Sequence, residues 1–293
     1  MLSRTYSEKT ASLCNKPQLE YYKLWCSGLN GANIARKIGV HRSAVSTSLS
    51  RLERRSLAEV DNDDAPILII PDLHAPYHHK DAIEFFKYVQ KKRGCRKRVV
   101  SVGDILDFHS MSRHIHETDA DSPEAEYQKA LAFTAELCEA FPEGDVVLGN
   151  HDLIPQRQMK EIGLASSILK SHNELYGLSS GWKVHPLYHV IDPNGWNVLV
   201  EHGIGSAGKY GCANTAKEKR CSYVQGHTHA CAAVIYSQNH DDSIFGMNVG
   251  CCVDSASLAM RYGRYSTRKG VLGCGVVYSG SHAEFFPMTS WRK

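Results

Sequence analysis

The chain has 293 residues, 42% of them hydrophobic and 22% charged, which is enough to build a sizeable folded core. It has no long low-complexity stretch and no run of about 18 apolar residues, which argues against disordered and membrane-spanning classes. The formal net charge is +3, yet residues 1–60 carry ten basic and four acidic side chains, a net charge of +6. We call residues 1–60 the head and the mildly acidic remainder, residues 61–293, the body. The positive charge of the head predicts that it binds an anionic partner.

The first residues contain no apolar stretch of the kind found in secretion signals, and the ten cysteines show no Cys-x-x-Cys spacing. We therefore expect a cytoplasmic protein with reduced thiols and no membrane partner. The sequence leaves the oligomeric state open.

Within the head, residues 17–56 show the apolar periodicity of three short helices. The first is predicted over residues 17–27, the second over residues 32–38, and the third begins near Ser43, which could cap it. We therefore predict a small all-α domain in this part of the chain.

Three residues of the head fit the turn of a helix-turn-helix. That motif has a small residue in its first helix, a glycine four positions later at the turn, and an aliphatic residue six positions beyond. Ala35, Gly39 and Val45 occupy these positions, although Ser48 stands where a further aliphatic residue is usual. The head therefore resembles a helix-turn-helix, whose last helix would enter the major groove of DNA.

The third helix carries side chains that suit phosphate and base-edge contacts. The residues predicted to contact DNA are Arg42, Ser46, Thr47, Arg51 and Arg54. The alternative is a three-helix bundle used for packing or dimerisation, with its arginines on a solvated face.

Residues 58–66 are acidic and end in proline, and they separate the head from the body. We predict a domain boundary here, with a helix-turn-helix domain over residues 1–60 and an α/β domain over residues 61–293. From residue 67 onwards apolar runs alternate with helical patterns, as in a layered α/β fold.

Strands and helices of the body are predicted from these apolar runs and their spacing. Helices are expected over 80–92 and 123–141, and residues 155–178 are expected to be helical or irregular. The predicted strands cover residues 67–70, 98–102, 145–148, 187–191, 196–201, 222–225, 231–236, 244–249, 271–278 and 282–287.

Residues of metal-binding type follow five of the apolar runs. They are, in chain order, Asp72 and His74, then Asp104 and Asp107, then Asn150, His151 and Asp152, then His202, and finally His227 and His229. Because ligands of α/β sheets sit at the carboxyl ends of strands, we expect these residues to form one site. Two divalent ions about 3.5–4 Å apart can clamp the attacking and leaving oxygens of a phosphate. Oxygen and nitrogen ligands without thiolate favour manganese, iron or zinc over calcium.

The five motifs occur in the order found in calcineurin-like metallophosphoesterases. They are Asp72-x-His74, Gly103-Asp104-x-x-Asp107, Gly149-Asn150-His151-Asp152, His202-Gly203 and Gly226-His227-x-His229. The body therefore resembles this superfamily from residue 67 to about residue 230. The resemblance implies a layered α/β metallophosphoesterase sandwich and a metal-dependent phosphoesterase activity.

The resemblance also implies a role for each matched residue. The implied metal ligands are Asp72, His74 and His229 for the first ion, Asp104 as the bridge, and Asn150, His202 and His227 for the second ion. A metal-bridging hydroxide would attack phosphorus, His151 would stabilise or protonate the leaving oxygen, and Asp107 would orient His151. The implied cofactors are two divalent transition-metal ions, manganese first, with iron, zinc or nickel as alternatives.

The loop after Asp107 should face the substrate. Arg113 is the residue predicted to contact phosphate, because a guanidinium matches phosphate geometry, and His114 is the second choice. The alternative for Arg113 is a loop arginine in solvent. The basic residues between positions 209 and 220 would line a nucleic-acid path or form a solvated helix face.

Two departures from family patterns bear on the substrate. Phe108-His109 stand where the serine/threonine protein phosphatases carry Arg-Gly, which argues against that branch. Asp107 stands where the double-strand-break exonucleases often have histidine, which argues against exonuclease activity by resemblance.

Three functions are left open by the sequence. The first is a nucleic-acid phosphoesterase, a nuclease or end-processing enzyme that the head delivers to DNA. The second is a phosphatase or small-substrate phosphodiesterase whose head packs or dimerises. The third is a transcriptional regulator that has kept a spent catalytic fold. We rank the first function highest, with DNA as the expected partner of residues 1–60.

Overall fold

The structure is a computed structural model that describes residues 6, 11, 14–57, 65–112, 121–192, 197–254 and 269–291. Most of the predicted boundary at 58–66 lies outside these residues, and so do residues 193–196, where the strand predicted over 196–201 begins. None of the described helices combines the length and the apolar composition that a membrane crossing requires.

The head consists of three helices, which are α1 (Lys16–Cys26), α2 (Gly31–Ile38) and α3 (Arg42–Leu57). Asn15 and Asn30 begin the first two, because their side chains accept hydrogen bonds from backbone N–H groups of the first turn. Gly39 ends α2 in a left-handed conformation with φ of 78°, which a residue without Cβ adopts readily. The apolar faces meet in a small core made of Tyr22, Ile34, Ala35, Val45, Leu49 and Leu52.

The body contains the α/β part of the described chain. Its helices are α4 (Ala82–Arg93), α5 (Pro123–Ala140), α6 (Ile154–Glu161), α7 (His172–Tyr176) and α8 (Gly211–Lys219). Short 3₁₀ turns lie at His109–Met111, Ser166–Ile168 and Met288–Ser290.

Two sheets are built from the strands of the body. The strands are β1 (Ile67–Ile70), β2 (Val99–Ser101), β3 (Gly144–Val147), β4 (Trp182–His185), β5 (His189–Ile191), β6 (Val198–Val200), β7 (Ser222–Gln225), β8 (Ala232–Gln238), β9 (Ser243–Val249), β10 (Gly273–Ser279) and β11 (His282–Pro287). The large sheet has the order β11-β10-β1-β2-β3-β4, and the small sheet has the order β5-β6-β7-β9-β8.

Each sheet has a run of parallel strands, with antiparallel pairing at one side of the large sheet and at both sides of the small sheet. Strands β1 to β4 run parallel, with β10 and β11 antiparallel at one side. In the small sheet β6, β7 and β9 run parallel, and β5 and β8 are antiparallel to their neighbours. Parallel neighbours place their carboxyl ends at one edge, which is the geometry that a shared site needs.

The two sheets pack face to face, with helices on both outer faces. Ile69, Val147 and Met247 are among the side chains that fill the space between the sheets. Phe85 and Phe86 of α4 are buried against the outer face of the large sheet, where each contributes about 1.5–3 kcal/mol. Helix α8 covers the outer face of the small sheet. This arrangement confirms the predicted α/β sandwich.

Two elements were not among the predicted strands and long helices. Strand β4 extends the large sheet through parallel pairing with β3, and no apolar run in the sequence marks it. Helix α8 contains Lys217 and Lys219 of the basic segment between residues 209 and 220, whereas Lys209 and Arg220 lie just outside its ends.

The head packs against the amino-terminal edge of the small sheet. Asn197, just before β6, donates a side-chain hydrogen bond to the carbonyl oxygen of Arg51 at 3.3 Å. Arg51 also pairs with Asp242 at 3.5 Å. His202 and His227 follow the carboxyl ends of β6 and β7, at the opposite edge of the sheet. The strands therefore separate the head from those two residues. The five residue steps from Asn197 to His202, which include β6, span roughly 16 Å at about 3.3 Å per residue.

Candidate dinuclear metal centre

The predicted ligands converge at the carboxyl ends of β1, β2, β3, β6 and β7. The chain turns sharply where it leaves several of these strands. His74, Asp104 and His227 adopt left-handed conformations with φ of 51°, 47° and 64°, although none of them is glycine. Such conformations cost of order 1–3 kcal/mol and cluster at functional sites, where surrounding contacts hold them.

Asp72, His74 and His229 form the first group of ligands. Nε2 of His229 lies 3.0 Å from Oδ2 of Asp72 and 3.1 Å from Nε2 of His74. Asp72 and His74 are buried, whereas the side chain of His229 is about one-quarter exposed. Two ring nitrogens and a carboxylate oxygen thus point at one another across a small space.

Asn150, His202 and His227 form the second group. Oδ1 of Asn150 lies 3.0 Å from Nε2 of His202 and 2.8 Å from Nδ1 of His227. Backbone contacts fix the orientation of His202, because its Nδ1–H donates to the carbonyl of Val102 at 2.9 Å. This bond leaves Nε2 of His202 as the nitrogen that can bind a metal.

Asp104 stands between the two groups. Its Oδ2 lies 3.1 Å from Nε2 of His202 and 3.6 Å from Nε2 of His74. Its Oδ1 accepts a hydrogen bond from the backbone N–H of His151 at 2.8 Å. One carboxylate oxygen facing a histidine of each group is the placement that a bridging ligand requires.

Asp107 contacts two histidines with the same oxygen. Its Oδ1 lies 2.6 Å from Nδ1 of His74 and 2.8 Å from Nδ1 of His151. Nδ1 of His151 also lies 2.8 Å from the backbone carbonyl oxygen of Asp107. Because carboxylate and carbonyl oxygens only accept, both rings donate Nδ1–H to Asp107 and turn Nε2 towards the site. The rings of His74 and His151 meet edge to face, with centroids 4.5 Å apart. Asp107 therefore orients a predicted metal ligand as well as His151.

The carboxylates and histidines shift one another's protonation. Burial would lower the pKa of His151, but its hydrogen bond to Asp107 and the charges of Asp104 and Asp107 raise that pKa to about 9. Burial would raise the pKa of Asp104, but the charges of His202, His74 and His151 and the hydrogen bond from His202 hold it well below its usual range. The negative field that favours these protons also favours a divalent cation.

The donor set fits divalent cations. Oδ1 of Asp72 is buried and has no hydrogen-bond partner among the described residues, so a cation would satisfy it. A Cβ at Gly226 would overlap that same oxygen, and a Cβ at Gly149 would overlap Oδ1 of Asp104. The two glycines therefore make room for the carboxylates. Oxygen and imidazole donors without cysteine are a ligand set for borderline divalent metals.

A comparison with protein families places the chain. The sequence model of the family described as calcineurin-like phosphoesterase matches residues 65–231. The chain belongs to this family. No curated protein sequence matches the chain. Members of the family are metal-dependent hydrolases of phosphate esters, so the chain is a metal-dependent phosphoesterase, and its Asp/His groups indicate divalent metal ions.

Some of the residues predicted to bind substrate or DNA lie outside the part of the chain that the structure describes. Arg113 and His114, the predicted substrate contacts, lie outside the described residues, and so does the side chain of Arg54. Their roles stay predictions.

Four of the predicted DNA contacts can be placed. Arg42 and Ser46 are exposed on α3, as a DNA-binding face requires. Thr47 and Arg51 instead line the cleft between the head and the body, together with Arg220. Of these four residues, Arg42 and Ser46 are exposed, whereas Thr47 and Arg51 are partly buried.

Two acidic residues support the phosphoesterase site without facing it. Asp152 is fully buried, and its Oδ2 accepts backbone N–H groups of Asp104 and Gly149 at 2.7 and 2.8 Å. Glu126 of α5 accepts the backbone N–H groups of His109 and Ser110 at 2.6 and 2.8 Å. It thereby fixes the turn that follows Asp107. Asp152 was visible as the last residue of its motif, whereas no local pattern marks Glu126.

A second Asp/His cluster lies away from the phosphoesterase centre. Asp145 on β3 lies 2.7 Å from Nε2 of His185 and 3.7 Å from Nε2 of His189. Arg98 binds both carboxylate oxygens of Asp145, at 2.5 and 2.9 Å. Because the guanidinium already neutralises the carboxylate, the cluster is an ion-pair network that joins β3, β4 and β5.

Proposed function

We propose that the protein hydrolyses phosphodiester bonds of nucleic acid and that its head binds DNA. The observation that carries the proposal is the combination of a metal-binding phosphoesterase centre with a basic three-helix head. Residues 1–60 have a net charge of +6, and Arg42 and Ser46 are exposed on α3. Binding a nucleic acid through the head raises its effective concentration at the centre.

The residues of the centre divide into ion-holding and proton-handling groups. Asp72, His74 and His229 would hold one ion, Asn150, His202 and His227 the other, and Asp104 both. Bound divalent cations supply Lewis-acid activation of water and neutralise charge that develops on the phosphate. Manganese is the metal we propose, with iron, zinc or nickel as alternatives.

His151 handles the leaving group in this proposal. Its Nδ1–H donates to Asp107, so Nε2 is the atom that faces the substrate. Burial would lower the pKa of the ring, but its hydrogen bond to Asp107 and the charges of Asp104 and Asp107 raise that pKa and so favour the protonated form. A protonated Nε2 can donate to the leaving oxygen as the bond to phosphorus breaks, which is general-acid catalysis.

The distance between the head and the metal centre sets a minimum length for a nucleic acid that contacts both. The strands β6 and β7 lie between the head and the predicted ligands that follow them, which separates the two by roughly 16 Å along the strands. At about 3.4 Å per base pair, this distance corresponds to about five base pairs of duplex. A nucleic acid that touches both must therefore extend along the small sheet.

One assay tests the proposed function. Protein supplied with Mn²⁺ is given duplex DNA, single-stranded DNA, RNA, mononucleotides and p-nitrophenyl phosphate, with Asp104→Asn as the inactive control. We expect metal-dependent cleavage of a nucleic acid, and a weaker reaction when Arg42, Arg51 and Arg54 are changed together to Ala. Turnover of aryl phosphates and mononucleotides alone would contradict the proposal.

A second candidate function is supported by the contacts of Arg51. This side chain pairs with Asp242, and its carbonyl accepts from Asn197, so part of α3 packs against the body. A head that serves only for packing would leave a phosphatase or small-substrate phosphodiesterase. This candidate predicts turnover of nucleotides or aryl phosphates and no retention of the protein on immobilised DNA.

A further inference from the structure

A cavity of about 320 Å³ opens beside the catalytic centre. Asn150 and His151 form one side of it, and Arg157 and Gln158 of α6 form another. Because His151 is the residue proposed to protonate the leaving oxygen, the cavity lies on the side where the leaving group departs. Whatever binds there is the part of the substrate beyond the scissile bond.

Arg157 is held at the edge of this cavity by two connections to the centre. Its Nη2 donates to the backbone carbonyl of Asn150 at 2.5 Å. Helix α6 begins three residues after His151, and the backbone N–H of Ile154 donates to the carbonyl of His151 at 2.9 Å. Arg157 thus lies in the first turn of the helix that follows the catalytic histidine.

Helix α6 is also fixed from the other side of the cavity. The side-chain amide of Gln158 donates to the carbonyl of Met111 at 2.9 Å, which ties the helix to the turn that follows Asp107. Arg157 therefore sits on an anchored element rather than on a free loop. A guanidinium has five N–H donors, and the bond to Asn150 leaves others to face the cavity.

We infer that Arg157 binds a phosphate group carried by the leaving group. A guanidinium matches the oxygens of a phosphate and binds it bidentately, which a lysine ammonium cannot do. The alcohol that leaves a simple phosphomonoester carries no such group, whereas the next nucleotide of a polynucleotide does. The substrate class is therefore a phosphodiester whose leaving side continues to a further phosphate. This inference rests on the proposed function.

The test compares dinucleotides that differ by one terminal phosphate. Wild-type protein with Mn²⁺ is given TpT, pTpT and TpTp, and kcat/KM is measured for each. The variants are Arg157→Ala, Arg157→Lys and the control Lys160→Ala, which removes an exposed positive charge from the same helix. Metal content and circular dichroism of each variant show whether the centre and the fold are intact.

We expect the wild-type protein to prefer one of the two phosphorylated dinucleotides over TpT. In Arg157→Ala that preference should fall by about 10- to 100-fold, the effect of one charged hydrogen-bonded contact. Arg157→Lys should keep part of it, and Lys160→Ala should keep all of it.

Three results would overturn the inference. A preference unchanged in Arg157→Ala would show that the guanidinium does not bind the phosphate, and so would a wild-type protein that shows no preference. An equal loss on all three dinucleotides would show a merely structural role. If the wild-type protein cleaves p-nitrophenyl phosphate but none of the dinucleotides, the proposed function is wrong, and the inferred substrate class is wrong as well.

Discussion

Oδ1 of Asp107 accepts Nδ1–H of His74 at 2.6 Å, and the two residues are 33 positions apart in the chain. The same oxygen lies 2.8 Å from Nδ1 of His151, which lies equally close to the backbone carbonyl oxygen of Asp107, so one residue serves a predicted metal ligand and the proposed general acid. Groups that orient metal ligands typically matter 10–100-fold for metal affinity or activity. Metal binding and proton transfer should therefore depend on the same residue.

Asp107→Ala should lower both metal affinity and catalytic rate. We expect about a 10- to 100-fold loss of Mn²⁺ affinity, measured by titration of metal-stripped protein, in addition to a loss of kcat. Asp107→Asn keeps an acceptor oxygen without the charge and should lose less. Unchanged metal affinity together with a lower kcat would mean that Asp107 acts on His151 alone.

His151→Ala should make the rate depend more steeply on the leaving group. General-acid catalysis contributes about 10²–10⁴-fold, and it matters most for a leaving oxygen of high pKa. The variant should lose most of its rate on a dinucleotide and much less on bis(p-nitrophenyl) phosphate, while its Mn²⁺ content stays normal. Equal losses on both substrates would rule out the proton-donor role.

The sequence predicted the gathering of the ligands but not the contacts that orient them. A strand that ends in Asp, Asn or His is a local pattern, and parallel strands bring such ends to one edge of a sheet. The bond between Asp107 and His74, and the place of Glu126, depend on how loops from distant parts of the chain pack. No local spacing encodes those contacts.

Dependence on contacts between distant parts of the chain also explains why the sequence did not predict strand β4. Strand β4 has only four residues, Trp182–His185, and it exists because parallel pairing with β3 satisfies its backbone. Arg157 was missed because it follows the third motif on a helix without a pattern of its own. Its importance arises from the cavity beside it, which only the folded chain shows.

Gly226→Ala and Gly149→Ala should both lower metal affinity. Each added Cβ would overlap a carboxylate oxygen, of Asp72 and of Asp104 respectively, so the ligand must move. Neither glycine has positive φ, so the effect is steric rather than conformational. The control is Gly31→Ala, because a Cβ there meets nothing within 4 Å. Normal Mn²⁺ affinity in Gly226→Ala would show that Asp72 is not a ligand.

Asp242→Ala should strengthen DNA binding if Arg51 is a DNA contact. Removing Asp242 frees the Arg51 guanidinium from its partner at 3.5 Å and leaves it available to phosphate. Arg42→Ala should weaken binding and lower the slope of log affinity against log salt by about 1. Fluorescence anisotropy of a labelled duplex over a salt series measures both effects.

The control for that experiment is Asp241→Ala, which removes an exposed charge from the same turn. General electrostatic repulsion of DNA would give Asp241→Ala and Asp242→Ala the same gain. If neither variant binds DNA at any salt concentration, the head serves for packing, and the second candidate function is the better one.

Asp145→Ala should destabilise the fold far more than removal of a surface charge. The carboxylate of Asp145 is only 2% exposed and binds Arg98, whose side chain is 18% exposed. Breaking a buried pair by removing one partner costs about 3–5 kcal/mol, because the remaining charge is left uncompensated. Urea unfolding at pH 7 measures the loss, with Glu84→Ala, an exposed ion-pair residue on α4, as the control.

The contribution of Asp145 should also depend on pH in a direction that its surroundings fix. Burial would raise the pKa of Asp145, but the hydrogen bonds from His185 and Arg98 hold it well below the usual range. Because the folded pKa is lower than the unfolded value of about 3.9, the stabilisation is fully present above that value. It is lost as pH falls towards the folded pKa. The difference in unfolding free energy between wild type and Asp145→Asn should therefore shrink as the pH falls below about pH 4. A difference that grows below pH 4 would show that the charged carboxylate does not stabilise the junction between the sheets.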